Sequence, residues 1–217
     1  MTTKKNRTSS TTEVKPRASG GGATAVAQAI LAEESPQSKI AEQGELMVEG
    51  PRTAATQAAR VLSEIIAAKP ELVVPLVAKF ANSVCSPNKR VVQTSAEALP
   101  AIARVAPARV ARQLDVLKGS FEEANNVGKD GLVRTFAALC TASVAYQKRL
   151  EPVLTLALSG CDGKTLLEWS QIVLPALKGE PHARARAVVE GRLNLIPRSH
   201  AQQIADFLGI KLRLRYR

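Results

Sequence analysis

The chain has 217 residues, 45% of them apolar but only 3% aromatic, which is long enough for one ordinary domain buried without disulfides or metals. Its formal charge of +11 is concentrated at the ends: five basic groups against one acid in residues 1–22, and eight against two in residues 181–217. Three widely spaced cysteines, Cys85, Cys140 and Cys161, argue against both a disulfide framework and a zinc site and fit a reducing compartment.

Residues 1–22 are rich in Thr, Lys, Ser and Arg and end in three glycines, so they cannot bury enough surface to offset the cost of ordering. They are expected to form a disordered basic tail, and they lack the apolar stretch of a secretory signal. From Ala23 to Gly209 the chain reads as helix-length apolar segments, rich in Ala, Val and Leu, between short breaks. The breaks fall at Ser35-Pro36, Gly50-Pro51, Lys69-Pro70, Ser86 to Asn88, Ala106-Pro107, Asn125 to Gly128, Ser143 to Ala145, Gly160 to Gly163, Gly179 to Pro181 and Ile196-Pro197. Residues 210–217 form a second basic tail. No apolar run approaches the roughly 18 residues of a membrane span. A cytoplasmic protein is expected, with the nucleoid or nucleus as alternatives.

The segments come in similar pairs. Arg52, Lys89, Lys129 and Lys164 each stand near a helix start, and ten residues on lie Leu62, Leu99, Leu139 and Leu174, spaced 37, 40 and 35 apart. In two of the preceding helices a proline, Pro75 or Pro152, interrupts an apolar run. An interior proline normally costs a helix about 3 kcal/mol, so its recurrence points to a kink belonging to a repeat.

This period, the internal proline, and the stretch Asp130-Gly131-Leu132-Val133-Arg134 followed by Ala137-Ala138-Leu139 resemble the HEAT repeat of the armadillo/HEAT family. The resemblance covers about residues 37–209 and is best over 107–144. It implies an all-α fold, a right-handed α-solenoid of about four to five helical hairpins. The other second helices lack the Asp and Arg together. The physical logic stands without the name: a two-helix unit cannot cover its own apolar face and stacks on its neighbours.

No catalytic constellation emerges, so a non-catalytic protein without cofactor or metal is expected. His182 and His200 lie apart near helix starts, and the chain has no His-Glu pair of the kind HEAT-like iron hydroxylases repeat. Gly163-Lys164-Thr165 has the tail of a P-loop, but Leu158 stands where its first Gly belongs and no strand precedes it. Glu33-Glu34 and Glu122-Glu123 are adjacent in sequence and diverge on a helix. Glu168-Trp169 resembles the acid beside tryptophans with which HEAT-like alkylpurine DNA glycosylases hold a damaged nucleotide, although Trp169 is the chain's one tryptophan.

Two basic groups are the candidate binding residues. Arg52, Lys89, Arg90, Lys129, Arg134 and Lys164 would form a ridge along one edge of a regular stack. Arg184, Arg186, Arg192 and Arg198, then Lys211, Arg213, Arg215 and Arg217, form a C-terminal group whose last seven residues alternate cation and apolar side chain. The expected function is a scaffold or adaptor that engages a protein partner, acidic by this charge, through its helical surface. The first alternative is non-specific DNA or RNA binding through the basic ends and the basic ridge, and the remote one is a DNA glycosylase.

Overall fold

The computed structural model describes residues 21–212, and every regular element among them is helical. In chain order these are α1 (Gly21–Leu31), α2 (Gln37–Glu49), α3 (Arg52–Ala68), a 3₁₀ segment (Pro70–Leu76), α4 (Val77–Ser83), α5 (Lys89–Val105), α6 (Pro107–Ala111), α7 (Leu114–Glu123), α8 (Asn126–Ala142), α9 (Val144–Gly160), α10 (Gly163–Ala176), α11 (Gly179–Arg192) and α12 (Arg198–Leu208). None is long and apolar enough to cross a membrane.

Local chemistry sets the starts. Asn88 accepts from the Arg90 amide, Asn125 from Gly128, Ser143 from Ala145 and Asp162 from Thr165, each satisfying a first-turn N–H that has no intrahelical partner. Pro70 and Pro107 stand at first-turn positions, where the missing N–H is no loss. Several boundaries differ from the sequence expectation, beginning with Gly21 and Gly22, assigned to the N-terminal tail, which open α1. Gly128 lies in the first turn of α8 because Asn125 caps through its amide; Gly179 to Pro181 begin α11, the break being Leu177-Lys178; and an unforeseen break at Arg112-Gln113 separates α6 from α7.

The prolines are also accommodated in two ways. Pro75 lies in the 3₁₀ segment, which turns into α4, whereas Pro152 is inside the continuous α9. The shared kink expected from sequence is therefore two different solutions to one missing donor.

Packing follows a simple order. α3 packs on α5, α5 on α8, α8 on α10 and α10 on α12, while α9 packs on α11. Each of α3, α5 and α8 also packs on a helix or 3₁₀ segment just before it in the chain. The N-cap residues of α3, α5, α8, α10 and α12 are Pro51, Asn88, Asn125, Asp162 and Pro197, a spacing of 37, 37, 37 and 35. Lateral contacts keep a similar offset: Thr94 Oγ1 donates to the Ala59 carbonyl, and Gly131 lies against Ala96, both 35 residues apart. Among the earlier helices of each pair, Lys79 pairs with Glu45 and Cys85 contacts the Ser120 carbonyl, 34 and 35 residues apart.

The core runs along this array. Leu62 and Leu99 are fully buried, as are Phe136 and Val173, which stand at the same distance from their caps. Leu139 and Leu174 are buried too, one or more residues out of that register. Each large side chain so buried contributes about 2 kcal/mol. Ile210 and Leu212, assigned to the C-terminal tail by their charge pattern, are partly buried against the core. Residues 1–20, which hold nearly all of the expected basic N-terminal tail, lie outside the described residues, as do Arg213, Arg215 and Arg217.

Candidate partner-binding cleft

α7 packs on α4 and α8 but makes no comparable packing with α9, and the gap is a cleft of about 730 Å³. Phe121 and Glu122 enter it from the end of α7, Val127, Lys129 and Asp130 from the start of α8, and Leu156 and Ala157 from the end of α9. Cys161 and Asp162 contribute from the following turn, and Thr165, Glu168 and Trp169 from α10.

Its floor and rim differ in character. Phe121 and Trp169 are buried, whereas Val127 is 50% and Leu156 55% exposed, so two large apolar side chains stand in water at its mouth. Exposed apolar groups framing a concavity, with buried aromatics beneath, are the chemistry of a site that takes apolar side chains.

Polar groups give the cleft its charge. Four carboxylates line it, Glu122, Asp130, Asp162 and Glu168, against one ammonium, Lys129. Asp130 is held at both oxygens: Trp169 Nε1 donates to Oδ1 at 2.9 Å and Arg134 Nε to Oδ2 at 2.7 Å. Glu168 meets Lys164 at a loose 3.9 Å, and Glu122 is in no ion pair among the described residues. The Thr165 amide, bonding Asp162 at 2.9 Å, is the main reason that carboxyl lies below its ordinary range. Lys129 is 5.8 Å from the centroid of the Phe121 ring, its charge against an aromatic face.

The thiols divide by burial. Cys140 is buried, and desolvation pushes its thiol up to about 12. Cys161, at the edge of the cleft, is also raised by burial, with Arg192 opposing the shift. Cys85 is exposed.

The nominated basic residues do not form one ridge. Measured from its cap, Lys129 is the fourth residue and Lys164 the second, whereas Arg52 and Lys89 are the first. The residue of α8 in register with Arg52 and Lys89 is Asn126. Arg134 is tied to Asp130, Lys164 approaches Glu168, and Arg90 reaches the side-chain oxygen of Gln93 at 3.2 Å. Arg52 and Lys89 are exposed, and a smaller hollow of about 390 Å³ is lined by two cations, Arg104 and Arg134, with Ala138 and Thr141.

In the C-terminal group most charges are committed to packing. Arg184 bonds the largely buried Glu151 at 3.2 Å and also Glu180; Arg186 reaches Glu190 and the Leu208 carbonyl; Arg192 donates to the Leu158 carbonyl at 2.7 Å. These arginines clasp α11 to α9 and α12. In the described part of the group Arg198 and Lys211 are exposed, as is Arg184, which is nevertheless paired with Glu151 and Glu180.

His182 and His200 stand near the starts of α11 and α12, and no group of three or more His, Cys, Asp or Glu among the described residues could hold a metal ion. Sequence reading missed the cleft because its lining comes from four helices and a turn. The available signal was the 37-residue recurrence of capping residues, which sets α8 beside α10, where Trp169 bonds Asp130. No family model, no curated protein and no solved structure matches this chain.

Proposed function

We propose that this chain is a non-catalytic binding scaffold, an α-solenoid of HEAT-like hairpins whose cleft between α7 and α9 receives a segment of a protein partner. The near-constant contact offset supports the solenoid. In antiparallel packing the difference between contacting residue numbers changes steadily along a helix, whereas stacked equivalent units keep it fixed. Offsets of 33–35 recur from Glu45 and Lys79 to Glu151 and Arg184, which is what stacked units produce.

The observation that carries the binding reading is the exposure of Val127 and Leu156 above buried Phe121 and Trp169. Four carboxylates around them favour a segment that offers cations beside its apolar side chains. That refines the acidic partner expected from net charge, since the ends of the chain and this cleft differ in sign. The glycosylase reading is less favoured, since Trp169 is largely buried and its N–H is bound by Asp130.

The test uses the single tryptophan as a reporter. A nine-residue peptide alternating Lys and Leu should change Trp169 emission saturably, and one alternating Glu and Leu should not. Leu156→Asp, at an exposed position, should weaken the first titration by at least tenfold. If the acidic peptide binds instead, the cleft is not the acceptor described here. Duplex DNA bound at about 50 mM salt and released at 200 mM would favour the nucleic-acid alternative, carried by the basic ends.

A further inference from the structure

We propose that the cleft binds residues Arg213 to Arg217 of a second copy of this chain, so that copies associate tail to cleft. The inference rests on the reading of the cleft as an acceptor for cationic and apolar side chains, and it names the segment that fills it.

The segment has the matching chemistry. Arg213-Leu214-Arg215-Tyr216-Arg217 alternates cation and apolar side chain, so an extended backbone would turn two apolar groups to one side and three guanidinium groups to the other. The cleft offers the complement: Val127 and Leu156 in water, buried aromatic groups beneath, and Glu122, Asp162 and Glu168 around them. Guanidinium groups bind carboxylates through paired N–H donors, which suits a carboxylate rim better than ammonium would. The other basic segment, residues 1–20, has Val14 as its one large apolar residue besides Met1 and lacks this alternation.

Within one molecule the segment is badly placed for its own cleft. α12 starts beside the start of α10, where Gly163 meets Pro197 and His200, and runs 11 residues away from that end, about 16 Å. α10 packs on both α8 and α12 and so lies between α12 and the cleft, and Leu212 is held against the core. Five residues span at most about 17 Å fully extended, about the distance by which α12 carries the chain away from that end, which leaves little of the segment to lie along its own cleft. A second copy has no such constraint. The contact is heterologous, each copy using its tail and its cleft once, and generates chains or a closed ring rather than a symmetric pair.

A charge exchange in the full-length protein tests this by sedimentation velocity. The wild type should associate as its concentration rises. Replacing Arg213, Arg215 and Arg217 with Glu, or Glu122 and Glu168 with Lys, should weaken that association at least tenfold in each variant alone. Mixing the two variants should restore it, because every contact then joins opposite charges. A wild type that stays monomeric at all concentrations, or a mixture that fails to associate, overturns the proposal. So does association that survives the tail exchange and is lost on reversing Lys4, Lys5 and Arg7, which would make the N-terminal segment the occupant. Trp169 emission separates the two levels of inference. If the Lys-Leu peptide perturbs it while the chain stays monomeric, the acceptor stands and the second copy is wrong; if neither that peptide nor one with the sequence of residues 209–217 does so, both fall.

Discussion

Gly131 of α8 faces Ala96 of α5 so closely that a Cβ on the glycine would lie 2.5 Å from both Cα and Cβ of the alanine. The approach is between two helix backbones, where no flexible side chain can yield. Gly131→Ala should therefore destabilise the fold by about 2 kcal/mol, overpacking outweighing the roughly 1 kcal/mol gained in helix propensity. Gly119 in α7 has open space around it. Gly119→Ala should stabilise by about 0.5–1 kcal/mol. Urea unfolding of both variants checks the pair, and equal effects would mean the α5 and α8 contact is looser than described.

Gln147, near the start of α9, is a polar clasp between the ends of α8 and α10. Although buried, it donates to the carbonyls of Cys140 and Ala176 and accepts from the Lys178 amide. Gln147→Leu keeps the bulk and leaves three backbone groups without a partner. At about 1–3 kcal/mol for each unsatisfied group, partly relieved by water at the helix ends, a loss of about 3 kcal/mol is expected from the same unfolding measurement.

Thiol reactivity should follow burial. In the native protein at pH 8 an aromatic disulfide reagent should modify Cys85 fast and Cys161 slowly. Cys140, raised to about 12, should react only when the protein unfolds. Three equivalent fast thiols would contradict the packing of α8.

Asp162 links pH to the start of α10. Its folded carboxyl is lowered from 3.8 by the Thr165 amide, so the stabilisation it contributes is fully present above that value. It is lost as the pH falls through the lower folded value, because protonation removes the charge that the amide favours. Asp162→Ala should cost about 1 kcal/mol at pH 7. The gap between variant and wild type should narrow below about pH 4. Thermal unfolding at pH 7 and pH 3 checks it, and a gap that is constant with pH would mean the cap works without its charge.

The all-α class, most helix boundaries, the buried leucines and a recurrence of 35–40 residues were legible in the order of residues alone. Apolar periodicity and turn chemistry are local properties, and Asn88, Asn125 and Asp162 act on backbone groups two or three residues away. It also placed Pro75 and Pro152 at interruptions, without deciding that one becomes 3₁₀ and the other stays in an α-helix. What the charges do depends on how the helices stack. Arg184 could be recognised as basic, but not as the partner of Glu151 33 residues away, nor Arg134 and Trp169 as two donors to one carboxylate. The cleft is of the same kind: it exists because α7 and α9 do not close on each other, and which surfaces are left apart depends on how whole helices stack.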